Sequence, residues 1–159
     1  MPFTVRLWRP ADRPAVLALN AELQEHERGL RPSRLPGAAM TEAYVAELER
    51  RLAARDGDGA LFVADGEEGQ GVGFVACLVD KDVLEVEPAE VVIEDLVVAA
   101  GARRRGVGRA LVEAALGFAR ERRVRRVVVS ALVVNEDALA TYRALGFRSL
   151  YTRLEREAG

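Results

Sequence analysis

The sequence of 159 residues contains one cysteine, one lysine and one histidine. A single cysteine excludes an intrachain disulfide, and one cysteine with one histidine supplies too few ligands for a thiolate or imidazole metal site, so we expect no metal. The first residues lack the apolar core of a signal peptide, and no apolar run approaches the roughly 20 residues that span a bilayer. We therefore expect a cytoplasmic protein without a membrane partner.

The composition indicates one ordinary globular domain over residues 1–159, because half of the residues are apolar and 30% are charged. Twelve acidic residues and one basic residue lie between Asp56 and Asp95, whereas nine arginines and two glutamates lie between Gly101 and Arg126. The basic segment lacks interleaved aromatic residues and the net charge is −2, so we expect no nucleic-acid partner. The basic half suits a compact polyphosphate, and the acidic half suits a cationic small molecule.

Hydrophobic periodicity predicts the element order β-α-α-β-β-β-α-β-α-β. The predicted strands cover residues 3–8, 60–64, 72–79, 91–98, 125–132 and 147–154. The predicted helices cover residues 12–27, 41–55, 106–122 and 135–145. This order is typical of a mixed α/β sheet with helices on its faces, and neither an internal repeat nor a linker interrupts it.

An arginine- and glycine-rich segment follows the strand predicted over 91–98 and begins a helix. The first N–H groups of a helix have no intrahelical partner and can bind an anion, and glycines let a ligand approach the backbone. A P-loop is excluded because the lone lysine, Lys81, lies elsewhere, and the dinucleotide fingerprint fails because Leu111 replaces its last glycine. The candidate phosphate-binding residues are Arg103, Arg104, Arg105, Gly106, Val107, Gly108, Arg109 and Ala110.

A second motif, Asn-x-x-Ala-x-x-x-Tyr-x-x-x-Gly-Phe, occupies residues 135–147. Asn135 is a favourable N-cap, and Gly146 is suited to the end of the helix. Preceded by Arg-x-x-Gly-x-Gly, this motif resembles the signatures of the GNAT family of N-acetyltransferases. The family's element order matches essentially the whole chain, so the resemblance implies a single-domain, mostly antiparallel sheet flanked by helices.

The resemblance also implies that acetyl-coenzyme A is the co-substrate. Its phosphates would lie on the arginine-rich segment, and its pantetheine arm would enter where the strands over 91–98 and 125–132 separate. The family often has proline at Ala100 and glycine at Arg104, but the glycines at 106 and 108 remain. Tyr142 would protonate the departing thiolate. The implied cofactor-binding residues outside the arginine-rich segment are Leu96, Val97, Val98, Asn135, Ala138 and Tyr142.

Glu94 is the predicted general base for the acceptor amine. Strand alternation would place it on the same face as Leu96 and Val98, and would turn Asp95 to the opposite face in a structural role. The run Ile93-Glu94-Asp95-Leu96 also resembles the corresponding strand of polyamine and glucosamine-phosphate acetyltransferases of the family, in which a glutamate is implicated. In the alternative, Glu94 only pairs with an arginine or binds the acceptor. A backbone N–H near Val97 or Val98 would hold the oxyanion if the strand bulges there.

The sequence therefore predicts an acetyl-coenzyme A-dependent N-acetyltransferase that acts on a primary amine of a small molecule by direct attack in a ternary complex. The small-molecule partner is expected to be cationic. A protein or peptide N-terminal acetyltransferase is one alternative, and a non-catalytic coenzyme A-binding regulatory module is the other. The oligomeric state stays open, with a homodimer as one candidate. Cys77 is expected to be a small core residue and not an acyl-carrying nucleophile.

Overall fold

The computed structural model describes residues 2–81 and 83–159. Short 3₁₀ turns precede the first and third helices, at Pro10–Asp12 and Ala100–Ala102. The elements in chain order are β1 Thr4–Leu7, α1 Arg13–Leu30, α2 Ala38–Ala53, β2 Gly59–Asp65, β3 Gly71–Lys81, β4 Ala89–Val98, α3 Val107–Glu121, β5 Val127–Val129 and α4 Glu136–Ala144.

Five strands form one sheet in the order β1-β2-β3-β4-β5. The first three neighbouring pairs are antiparallel, and β4 pairs with β5 in parallel. The predicted fold class, a mixed and mostly antiparallel sheet flanked by helices, is therefore confirmed. None of the helices within the described ranges combines the length and the hydrophobicity needed to cross a lipid bilayer.

Both faces of the sheet are covered, so the core has two layers. One layer packs α3 against the sheet through Leu111, Ala115 and Phe118. The other layer packs α1 and α2 against the opposite face, with Val16 and Leu48 at its centre. β3 lies between the layers, which explains why its residues 72–79 are all buried and its sequence is almost continuously apolar.

The end of the chain differs from the prediction. A strand was expected over 147–154, but the described residues after α4 contain no strand, and β5 covers three residues instead of the predicted 125–132. Leu150, Tyr151 and Leu154 are exposed. A segment of alternating apolar and polar residues forms a strand only where the edge of a neighbouring strand can pair with its backbone N–H and C=O groups. β5 is three residues long and offers too short an edge for such pairing.

Gly73 allows β3 to approach β4 and α3 closely. A Cβ atom at this position would lie 2.7 Å from the Val97 carbonyl oxygen and 3.1 Å from Leu111 Cδ1. Gly73→Ala is expected to lower the free energy of unfolding by about 1–3 kcal/mol, because a backbone oxygen cannot yield without moving its strand. Urea unfolding monitored by circular dichroism measures this change.

Gly117→Ala is the matched control for that substitution. Gly117 lies inside α3, and the nearest atom to a Cβ there would be Arg120 Nη2 at 3.9 Å. This variant should be as stable as the unaltered protein or gain up to about 1 kcal/mol from helix propensity. Equal stability of the two variants would contradict the close approach at Gly73.

Candidate functional site

The candidate site begins where β4 and β5 separate. The two strands pair only from Val91–Val127 to Ile93–Val129, although β4 continues to Val98. The Ala99 N–H donates to Val72 O on β3 at 2.9 Å, so alternation turns the backbone groups of Leu96 and Val98 away from β3, towards the edge that β5 leaves open. This edge can accept an extended ligand.

The turn after β4 presents the start of α3 beside that open edge. Gly106 is the N-cap of α3 and has φ +86°, and its carbonyl accepts the first helical bond, from the Ala110 N–H at 3.0 Å. The N–H groups of residues 107–109 therefore project from the first turn, as an anion site requires. A Cβ atom at Gly106 would have nothing within 4 Å, so the space beside it is open.

The arginines of the turn differ in their contacts. Arg103 Nε donates to Val98 O, and its Nη2 lies 3.0 Å from Glu22 Oε1, which also accepts the Ala100 N–H at 3.1 Å. Arg104, Arg105 and Arg109 are exposed. Arg104 has φ +58°, a left-handed conformation that glycine adopts without strain.

The second motif forms the helix that was predicted from it. Asn135 Oδ1 accepts the Ala138 N–H at 3.2 Å as the N-cap of α4, and Gly146 ends the helix with φ +92°. The Tyr142 ring is partly buried and meets Phe147 edge-on, with 5.7 Å between the ring centroids. Burial, together with the negative charge of Asp95 and Glu27, raises the pKa of the Tyr142 hydroxyl to about 12. The hydroxyl is therefore a proton donor at neutral pH.

A β-bulge in β4 overturns the predicted placement of Glu94. Ala76 pairs with Asp95 but Cys77 pairs with Ile93, so Glu94 is an extra residue between two pairs. Alternation is interrupted there, and Glu94 does not share a face with Leu96: Leu96 packs in the α3 layer, whereas Glu94 contacts Arg51 on α2. The bulge lies at Glu94 and not at Val97 or Val98, so the condition on which the oxyanion site was placed there is not met.

The two carboxylates at the bulge have different partners. Glu94 accepts two bonds from Arg51, at 3.0 and 2.8 Å, which is the arginine pairing that the sequence left as the alternative. Asp95 is buried and accepts one bond from the Tyr44 hydroxyl on α2, at 2.9 Å. Burial raises the pKa of the Asp95 carboxyl from 3.8 to about 6. The negative charge of Glu94 also raises it, whereas the hydrogen bond from Tyr44 lowers it by less than burial raises it.

The sequence did not predict that Asp95 and Tyr44 lie together beside the candidate site. A bulge depends on how β3 and β4 pair, so no local pattern reports it. The available signal was the pair of adjacent acidic residues, Glu94 and Asp95, inside an otherwise apolar strand. Tyr44 gave no signal because it lies at a helical spacing shared with the core residue Leu48.

The inner face of α1 becomes polar next to the bulge. Val16 and Leu19 are followed along the helix by Asn20, Gln24 and Glu27. Arg34, from the loop between α1 and α2, lies 3.2 Å from Gln24 Oε1 and 2.6 Å from Glu27 Oε2. The buried side chain of Asn20 has no hydrogen-bond partner within the described residues.

Cys77 and metal ligation add nothing to the site. The Cys77 thiol is buried, and burial raises its pKa to about 12, so it is not a reactive thiolate. Residues 2–81 and 83–159 contain no group of three histidine, cysteine or acidic side chains that could hold a metal ion.

Comparison with known proteins identifies the family. A family model described as "Acetyltransferase (GNAT) family" matches residues 21–147. The chain belongs to the GNAT family. This GNAT chain is 37% identical over 92 residues, 58% of its length, to a streptothricin acetyltransferase from Streptomyces lavendulae. The match covers 46% of that relative, so this chain spans about half the length of that curated protein.

Solved structures share the GNAT fold over the whole chain. An aminoglycoside acetyltransferase from an uncultured soil metagenomic sample is 27% identical with a TM-score of 0.70, and the match covers 100% of both chains. AAC(6')-Iy, solved in complex with the bisubstrate analogue CoA-S-monomethyl-acetylneamine, is 20% identical with a TM-score of 0.74, again over 100% of both chains. At that identity the second likeness establishes the fold alone.

The raised pKa of Asp95 predicts that its charge destabilises the folded protein. The Asp95 carboxyl has a pKa of 3.8 in the unfolded chain and about 6 in the folded protein. Below pH 4 the folded protein holds this group uncharged, so burial costs little. Above pH 7 the group is charged, and its burial lowers the free energy of unfolding by up to about 3 kcal/mol. Asp95→Asn should therefore raise the free energy of unfolding at pH 8 and change it little at pH 4. Urea unfolding at the two pH values measures the difference.

Asp12→Asn is a control of opposite sign. Arg6 binds the Asp12 carboxylate and holds its pKa below the usual range, so its charge stabilises the fold at neutral pH. Asp12→Asn should lower the free energy of unfolding at pH 8, with a loss that shrinks as the pH falls below 4. If Asp95→Asn behaved in the same way, Asp95 would be a stabilising charge and the argument would be wrong.

Proposed function

We propose that this protein is an acetyl-coenzyme A-dependent N-acetyltransferase that acetylates a primary amine of a basic small molecule by direct attack in a ternary complex. One observation carries the proposal. The open edge of β4 connects the N-terminus of α3 to Glu94 and the buried Asp95, and the charge of Asp95 acts on the Tyr142 hydroxyl. A phosphate site, an extended groove and acid–base groups are what acetyl transfer from a long thioester requires.

The residues along the open edge of β4 and at the start of α3 fit acetyl-coenzyme A. The free N–H groups at the start of α3 and the exposed Arg104, Arg105 and Arg109 suit its phosphates. The outward backbone groups of Leu96 and the outward N–H of Val98 suit the amides of its pantetheine arm, whereas the Val98 carbonyl already accepts a bond from Arg103 Nε. When bound, acetyl-coenzyme A supplies an acetyl group activated as a thioester. The bisubstrate analogue held by AAC(6')-Iy supports this assignment.

The charges around the bulge support a basic acceptor. Glu94, Asp95 and Glu27 bring three carboxylates to one region, and the two arginines there, Arg34 and Arg51, are already paired with glutamates. A cationic amine would therefore gain the attraction of Asp95. The names of two relatives, a streptothricin acetyltransferase and an aminoglycoside acetyltransferase, point to the same class of acceptor.

Release of free coenzyme A thiol tests the proposal directly. The protein is incubated with acetyl-coenzyme A and one amine at a time: streptothricin, neamine, spermidine, glucosamine 6-phosphate or a peptide with a free N-terminus. We expect thiol release with a basic small amine, and KM for that amine should rise with salt because the carboxylates attract it. A preference for the peptide would favour an N-terminal acetyltransferase, and no release with any amine would favour a non-catalytic binding module.

Gly106→Val tests the phosphate site in the same assay, with Gly69→Val as its control. Both glycines have positive φ, +86° and +74°, and neither would bring a Cβ atom within 4 Å of another group, so both substitutions strain the backbone without a steric clash. Gly69 lies in the turn between β2 and β3. Only Gly106→Val should weaken acetyl-coenzyme A binding severely, as measured by calorimetry. Equal affinities would remove residues 103–110 from the site.

Tyr142 is proposed as the general acid that protonates the coenzyme A thiolate. Its hydroxyl keeps its proton at neutral pH, and Tyr142→Phe removes that proton while preserving the ring contact with Phe147. We expect kcat to fall by roughly 10²–10⁴-fold with little change in cofactor affinity. Tyr151→Phe alters an exposed tyrosine and should keep normal turnover. Near-normal kcat in Tyr142→Phe would make Tyr142 a packing residue.

A further inference from the structure

Within the proposed function, on which this inference rests, we infer that Asp95, and not Glu94, accepts the proton of the attacking amine and that the Tyr44 hydroxyl positions it. The inference begins from the bulge in β4. Because Glu94 is inserted between two strand pairs, both carboxylates face α2 and not α3. Two acidic groups therefore compete for one role, and their contacts separate them.

Glu94 is engaged by a permanent cation. Both of its carboxylate oxygens accept bonds from Arg51, in a forked arrangement in which each oxygen meets its own guanidinium nitrogen. An arginine holds its proton at all relevant pH values, so its N–H donors occupy both oxygens of Glu94 and neither oxygen faces the amine unpaired. Glu94 is also partly open to solvent, with 21% of its side chain exposed.

Asp95 has no such cation. Among the described residues its recorded side-chain partner is a neutral donor, the Tyr44 hydroxyl, which engages one oxygen, Oδ2. The residue as a whole is 7% exposed. A buried carboxylate with one free oxygen and no bound arginine is chemically suited to receive a proton, because protonation relieves the cost of keeping its charge from water.

The surroundings of Asp95 set the pH at which it can act. Glu94 on its own strand and Glu27 on α1 oppose its charge, whereas Arg34 from the α1–α2 loop and the Tyr44 hydroxyl favour it. Arg51 on α2 is bound to Glu94, and Tyr142 on α4 carries a hydroxyl whose pKa the Asp95 charge raises. Burial is the largest effect on this carboxyl, and together with these groups it raises the pKa of Asp95 to about 6, so the carboxylate is ionised at neutral pH.

The proton balance assigns a separate step to each residue. An ammonium group loses one proton to Asp95 and becomes a neutral amine. The amine nitrogen then bonds to the acetyl carbon, and the carbon–sulfur bond breaks. Tyr142 gives its proton to the leaving sulfur and recovers one from the new amide nitrogen, while Asp95 releases its proton to solvent. One acetyl group is transferred, and the net products are an amide, a thiol and one proton.

Tyr44 contributes by holding the carboxylate. Its hydroxyl is largely buried and donates to Asp95 Oδ2 from α2, which fixes the side chain and leaves Oδ1 for the amine. A hydrogen bond to the ionised form of an acid lowers its pKa. Removing the bond should therefore shift the titration of Asp95 to higher pH, an effect that a purely structural tyrosine would not produce.

Two measurements test the assignment. The first is the pH dependence of kcat with the best amine from the panel of five. Asp95→Asn should lose kcat by roughly 10²–10⁴-fold and lose the acidic limb, whereas Glu94→Gln should keep that limb. Tyr44→Phe should move the limb upward by about one pH unit. Glu47→Gln, which removes an exposed carboxylate of α2 paired with Arg50, should leave the profile unchanged.

The second measurement needs no turnover. Carboxyl ¹³C NMR of the protein without substrates should show one aspartate titrating near pH 6, absent from Asp95→Asn and shifted upward in Tyr44→Phe. An acidic limb that survives in Asp95→Asn, or a variant that changes only KM, would overturn the inference while leaving the proposed function intact. If the unaltered protein releases no thiol with any amine, the proposed function fails and the inference fails with it.

Discussion

Unequal hydrogen bonding on the two sides of β4 is the constraint on which the site depends. β3 pairs with β4 along its length, whereas β5 pairs with it over three residues. The long pairing keeps β4 rigid inside a two-layer core, and the short pairing leaves half of the same strand with open backbone groups. β4 is therefore part of the core and also provides an edge to which a ligand can bind. α3 begins next to the end of that edge.

The bulge in β4 determines where the two carboxylates of the candidate site lie. A regular strand would send neighbouring carboxylates to opposite faces, one of them into the layer under α3. The extra residue directs both carboxylates to α2, where Arg51 neutralises Glu94 and Tyr44 holds Asp95. Two adjacent acids thereby acquire different environments, one paired with a cation and one buried beside a neutral hydroxyl.

Features written in local sequence were predictable. The helix caps at Asn135 and Gly146, the start of α3 at Gly106 and the order of the elements as far as α4 follow from short-range rules, and the structure has them. Features that depend on partners were not. The bulge requires the register of β3, the role of Tyr44 requires α2 to lie over β4, and a strand after α4 requires an edge that β5 does not extend. In each case the missing information was a tertiary contact.

The composition of the ion pairs has a chemical consequence. Every cation in the ion pairs of the described residues is an arginine, including those that bind Glu27 and Glu94, and the chain has a single lysine, Lys81. A guanidinium stays protonated and is not a nucleophile at neutral pH, whereas a lysine amine beside a thioester would compete with the acceptor. In the proposed acetyl transfer, the acidic region is thus balanced by cations that an activated acetyl group does not modify.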